Sequence, residues 1–221
     1  MTSVPTPLTS VEVRWFISAA DPPDALGDWI AADWSADSKR SPNEETRTDS
    51  YLVTADAGVG AKRRDQRQLE VKYRREAGQT RDFGRHEGRI ERWMKWSVDN
   101  LEAAALPRDV VSKVQEARVR IDVRKTRWLR RLAIDAGAPI RELPPNQWVD
   151  RAVGVELTRI VAREQQWWSI GFEAFPDDET VGRAFAPTVT RVLDPLRAIK
   201  LTLSSSMGYP EWLIRMLNAG C

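Results

Sequence analysis

The sequence predicts an α+β fold built on an antiparallel sheet, and three observations carry this. Several segments alternate strictly between apolar and charged residues, as in Leu69-Glu70-Val71-Lys72-Tyr73-Arg74. Successive strand side chains point to opposite faces, so each such segment has one greasy and one charged face. Short turn-forming stretches join them, which suits antiparallel neighbours. A segment near the C-terminus instead has helical spacing (Val181, Phe185, Val189, Val192, Leu196, Ile199). About eight strands with helices between and after them give an α+β class.

Thr9 to Ile17 reads as the first strand, with Val11, Val13, Trp15 and Ile17 on its apolar side. Asp21-Pro22-Pro23 ends it and opens a helix over Asp24 to Ala32, since proline is tolerated in a first turn. The polar stretch Ser35 to Thr46 reads as a loop. Strands follow over Thr48 to Thr54, Val59 to Asp65 and Gln68 to Glu76, with Gly58, Gly60 and Asp65 to Arg67 supplying turns. Arg89 to Val98 is a further strand. Leu101 to Ala105 and Asp109 to Ala117 read as short helices split by Pro107. Arg118 to Ile134 alternates as one long strand, and Ala138 to Asn146 is a proline-bearing loop. Val153 to Ala162 and Trp167 to Phe175 form a hairpin across Arg163 to Gln166. Asp178 to Lys200 is helical, with irregularities expected at Pro187 and Pro195, and Tyr209 to Ala219 is a last short helix. No midpoint linker divides the chain, so 1–221 is read as a single domain.

The 221 residues are 42% hydrophobic and 30% charged, the balance of a globular protein rather than a disordered one. The formal net charge is only +2. Basic side chains nevertheless crowd Arg118 to Arg131, and a local basic wall suits an anionic ligand. No apolar run is long enough to span a bilayer, and the first ten residues lack the pattern of a signal peptide. The one cysteine, Cys221, has no partner for an internal disulfide, and a cytoplasmic location is expected. Cys221 also lacks the neighbours of a zinc site, and Gly58-Val59-Gly60 lacks the following Gly-Lys-Ser/Thr of a phosphate loop. His86, the only histidine, lies among glycines and arginines and reads as a surface residue. Trp167-Trp168 reads as outer core and tunnel rim. Nucleic acid is disfavoured as a partner, because Val119, Ile121 and Val123 commit the arginine-rich strand to a core.

The charged faces admit two arrangements. They are the wet side of a sheet carrying cross-strand ion pairs, or the inner wall of a closed barrel. In order along the chain, these segments resemble the CYTH, or triphosphate tunnel metalloenzyme, superfamily. An opening Glu-x-Glu-x-Lys strand is matched by Ser10, Glu12 and Arg14. An Asp-x-Tyr strand is matched by Asp49 and Tyr51, and a basic strand by Lys62 and Arg64. Glu70, Lys72 and Arg74 match a strand ending in a functional lysine. Lys125-Thr126-Arg127 matches a Lys-x-Arg strand, and Glu156 and Glu173 the closing acidic strands. Ser206 to Leu213 echoes a terminal Ser-Tyr-x-Glu-Leu helix start.

The resemblance implies an antiparallel eight-stranded CYTH-like tunnel barrel with flanking helices. It implies a metal-dependent phosphohydrolase acting on a triphosphate or nucleotide. Arg14, Lys62, Arg64, Lys72, Arg74, Lys125 and Arg127 would hold phosphates, and Glu12, Glu156 and Glu173 would hold Mg²⁺ or Mn²⁺. Glu12 and Lys72 would be the catalytic pair. Arginine grips phosphate bidentately, and carboxylates suit hard divalent ions. Ser10 stands where the family has its first glutamate, and Gly171 and Phe175 flank Glu173 where a Glu-x-Glu pair is expected. Glu70, Glu91 and Asp122 are further carboxylates. The cationic half thus matches better than the acidic half. The alternative is a tunnel that binds a nucleotide or polyphosphate without turning it over. The partner is in either case an anionic small molecule, with no membrane and the oligomeric state open.

Overall fold

The computed structural model describes residues 7–18, 24–32, 42–64, 68–98, 106–134, 141–144, 147 and 149–219. Along the chain come β1 (Leu8–Ser18), α1 (Asp24–Ala31), β2 (Asn43–Val53), β3 (Val59–Arg64), β4 (Leu69–Arg74), β5 (Gln79–Phe83) and β6 (His86–Val98). Then follow α2 (Arg108–Glu116), β7 (Val119–Ala133), β8 (Arg141–Glu142), β9 (Ala152–Ala162), β10 (Gln165–Phe175), α3 (Glu179–Leu193) and α4 (Tyr209–Asn218). The expected helix at Leu101 to Ala105, the turn at Asp65 to Arg67 and Cys221 lie outside the described residues.

Eight strands close on themselves in the order β1-β10-β9-β7-β2-β3-β4-β6, because β1 also pairs with β6. Every pairing is antiparallel. Closure removes the free edges of the barrel wall. Its register sets Glu12 opposite Glu173 on one side and Glu91 on the other. Among the described residues β5 pairs only with β6, and β8 only with β7.

Alternation decides what faces where. Val11, Val13 and Trp15 point outward from β1 and are buried with residues of α1 and α3 in the main core. Val59, Ala61, Leu69, Val71 and Trp96 do the same beneath Val110 and Val114 of α2. The alternate residues, charged along most of their length, face the barrel axis, so the charged rows are a tunnel wall. At one end the inward residues turn apolar, as Phe16, Ile121, Val123 and Ile160, and α4 packs Trp212, Leu213 and Met216 on them. The Phe16 and Trp212 rings stack with centroids 4.8 Å apart.

Several local expectations change. β2 begins at Asn43 rather than Thr48, because its polar first half pairs along β7 down to Leu129. β6 begins at His86, and Gly84, at φ +70°, turns the chain from β5 into it. His86 is buried rather than on the surface, and its Nδ1 accepts from the Leu201 amide at 3.2 Å. Gly60 lies within β3 and lets Pro210 approach: a Cβ there would meet its Cγ at 2.9 Å. Arg141 and Glu142 pair as a two-residue strand inside the expected loop. α3 runs through Pro187 and ends before Pro195. The connection between β9 and β10 is two residues, Arg163 and Glu164, both at positive φ, which suits a tight hairpin. The arginine-rich run is split three ways. Arg118, Arg120 and Arg124 are exposed, Lys125 and Arg127 enter the tunnel, and Arg130 is buried against Glu142 and the Ile30 carbonyl. Asp122 shares the outer face and accepts from Ser50, away from the tunnel.

Candidate functional site

Three ion-pair clusters fill the tunnel. In the first, Glu156 of β9 accepts from Arg14 Nη1 at 2.8 Å, from Arg127 Nε at 2.8 Å and from Thr158 Oγ1 at 2.7 Å. Burial works to raise Glu156, but Arg14, Arg127 and Lys125 outweigh it and hold the carboxyl well below its usual range. Arg14 also donates to Ser169 at 3.1 Å. It fits because residue 171 is glycine: a Cβ there would lie 2.5 Å from the guanidinium carbon.

The second cluster joins β1, β4 and β10. The Lys72 ammonium donates to Glu12 and lies 3.4 Å from Glu173. Ser10 Oγ donates to Glu12 at 2.7 Å, so the residue at the missing glutamate position holds the remaining one. Burial, then the Glu173 charge, raises Glu12. Burial alone would raise Glu173 too, but Lys72 and Lys95 hold it down at about 2. Lys72, between the two carboxylates, is pushed up despite its burial.

The third cluster is centred on Asp49, which is fully buried. Its Oδ2 receives both Lys125 at 3.0 Å and Lys62 at 3.1 Å, and Arg47 Nε lies 3.2 Å from Oδ1. These three cations overcome burial and depress the Asp49 carboxyl. Lys125 also donates to the Tyr51 hydroxyl at 2.6 Å and sits 3.8 Å above the Tyr209 ring. Burial raises Tyr209 to about 12, which keeps it a neutral ring under that ammonium. Glu70 lies 3.3 Å from Lys62 and 3.1 Å from Arg64.

All three clusters open on one cavity with a free volume of about 110 Å³. Its wall brings together Arg14, Lys62, Arg64, Lys72, Lys125, Arg127, Glu12, Glu156 and Glu173 of the expected site. Arg74 is not among the lining residues, since Glu91 takes its guanidinium at 2.7 Å, beside Trp93. Sequence reasoning did not assign Arg47, Lys95 or Tyr209 to the site. Arg47 continues the alternation of Asp49 and Tyr51 along β2, but it lies ahead of the strand start expected at Thr48. Tyr209 enters from a helix, where strand alternation gives no signal. The eight lining cations face four glutamates and the buried Asp49, a surplus of three formal positive charges. Such a cavity favours an anion that can replace carboxylates on its cations.

The three expected metal ligands divide. Glu12 and Glu173 stand opposite each other across β1 and β10, whereas Glu156 is turned onto two arginines. Among the described residues no group of three or more His, Cys, Asp or Glu side chains is placed to hold a metal ion. Mg²⁺ is commonly held by one or two carboxylates together with substrate phosphates, and the Glu12–Glu173 pair fits that mode. Among the described residues no helix is long and apolar enough to cross a membrane.

No protein-family profile matches the chain, and no curated protein matches it. Among solved structures it is similar to PH1012 from Pyrococcus horikoshii OT3, at 16% identity and a TM-score of 0.42, over 90% of this chain and 98% of that one. A conserved hypothetical protein of Pyrococcus furiosus, Pfu-838710-001, is 12% identical with a TM-score of 0.39, over 91% of this chain and 98% of that one. PH1819 from Pyrococcus horikoshii OT3 is 7% identical with a TM-score of 0.41, over 94% of this chain and 99% of that one.

Proposed function

We propose that this chain is a divergent member of the CYTH, or triphosphate tunnel, superfamily, and that it hydrolyses phosphoanhydride bonds of a triphosphate or nucleotide in the cytoplasm. The observation that supports this most is the convergence of eight cations from six strands on one small cavity. In the proposed complex, phosphate oxygens displace Glu156 from Arg14 and Arg127, and these guanidiniums grip them with paired donors. Lys62, Arg64 and Lys125 neutralise the remaining charge. Lys72 leaves Glu12 for the phosphoryl group and offsets the charge that builds up during transfer. Glu12 and Glu173, freed of Lys72, would hold Mg²⁺ or Mn²⁺, which would supply Lewis-acid polarisation of the phosphoryl group.

Incubation with inorganic triphosphate or nucleoside triphosphates plus either ion is expected to release phosphate, and Glu12→Ala to abolish the release. Turnover no higher than that of Glu12→Ala sinks the hydrolytic reading. A second reading, a tunnel that binds the same anions without turnover, is favoured by Ser10 and by the commitment of Glu156 to two arginines. It predicts a raised melting temperature with triphosphate that survives chelation of metal and is lost in Lys72→Ala.

A further inference from the structure

The cavity wall carries eight cations, and seven of them are each held by at least one carboxylate. Lys95 of β6 is the eighth. Among the described residues its ammonium makes no ion pair and no hydrogen bond, although it lines the same cavity. Two carboxylates feel its charge without touching it. Burial raises both Glu173 and Glu70, while Lys72 and then Lys95 lower the first, and Lys62 and then Lys95 lower the second. The register also sets Lys95 directly opposite Lys72 of β4, two like charges side by side, which costs stability in a sheet. Lys72 is compensated by Glu12 and Glu173, and Lys95 has no such relief.

Its place along the barrel is a second, independent observation. On β1 its neighbour is Leu8, which is 62% exposed, whereas Phe16 toward the other end of that strand lies under α4. Lys95 therefore stands toward the open end of the barrel. An anion arriving there meets one cation that it can pair with outright. Every other cation on the wall must first exchange a carboxylate for a phosphate oxygen. We propose that Lys95 is the landing residue of the tunnel. It takes the leading phosphate of an oligophosphate before any internal ion pair opens, hands it on to Lys72 across β4, and so sets the rate of loading. The proposal rests on the anion-binding reading above and adds the step by which the ligand reaches that site.

The test is stopped-flow association of inorganic triphosphate with the full chain at low and at physiological salt. Lys95→Gln is expected to slow association about tenfold and to flatten its salt dependence, with dissociation nearly unchanged. Its melting temperature should hold or rise, since no ion pair is lost and the like charge opposite Lys72 is gone. Lys95→Arg should restore the rate. Arg64→Gln removes the same formal charge from a cation already paired with Glu70, and it should slow association much less. Equal slowing by Lys95→Gln and Arg64→Gln would make Lys95 one contributor to a general field and overturns the proposal. So does faster dissociation as the main effect of Lys95→Gln, or a melting temperature that this substitution lowers. If triphosphate binds the wild type and Lys95→Gln at the same rate, only the landing role falls. If it binds neither, the anion-binding tunnel falls with it.

Discussion

Gly171 and Arg14 form the most exacting pair in the site. A Cβ at 171 would sit 2.5 Å from the Arg14 guanidinium, so Gly171→Ala must push that group off Glu156 and Ser169. The expected result is loss of triphosphate-induced stabilisation with a destabilisation of only about 1 kcal/mol, since the flexible end of the Arg14 side chain can swing aside, read by thermal and urea unfolding. Lys62 gives a pH signature. Its amine is depressed to about 7 when folded, against an ordinary value of 10.5. Between those two values the unfolded chain binds the additional proton, so this group adds stability as pH rises through the window. A polyanion favours the protonated amine, so triphosphate affinity should fall as pH rises through 7, an effect measurable by calorimetry and absent from Lys62→Met. A flat affinity profile there would count against the assignment. Which residues face the tunnel was legible, because alternation fixes the face. Which carboxylate each cation would meet was not. Glu156 went to arginines and Asp49 to two lysines through cross-strand register, which no single strand reveals.

Among the elements, the long alternating strands and the C-terminal helices were legible from periodicity alone. β5 was not, because four of the five residues in Gln79-Thr80-Arg81-Asp82-Phe83 are exposed and give it no apolar face. Its existence depends on the hairpin turn at Gly84, and its one buried ring, Phe83, packs edge-on to Trp15 at 5.8 Å. The first half of β2 was hidden in the same way, being polar and held by its partner strand. α4 was legible as a helix but not as the closure of the tunnel, since its apolar stripe says nothing about its partner. Trp212 carries that closure, stacked on Phe16 and edge-on to Trp167 and Tyr209. Trp212→Ala is expected to cost about 3–5 kcal/mol, measured by chemical denaturation. It should also free Tyr209 from its place beneath Lys125, weakening triphosphate binding together with stability.

At the scale of the molecule, the barrel reverses the usual order of polar and apolar. The greasy faces look outward onto α1, α2 and α3, and the charges look inward. The sequence contains that inversion as alternation, but alternation is equally compatible with an open sheet wet on one side. Closure through β1 and β6 decides it, and this pairing joins residues about eighty positions apart. The apolar seal that α4 makes against Phe16, Ile121 and Ile160 has a consequence for traffic. Among the described residues α4 stops one end of the passage, which leaves the other end for arrival and departure alike. A long polymer cannot thread it and can present only a terminus. With inorganic polyphosphate, occupancy should therefore follow the number of chain ends rather than the mass of phosphate, which titration with chains of graded length would measure. Any shortening would proceed from the tips inward, and each released fragment would have to clear the doorway before the next terminus could come in.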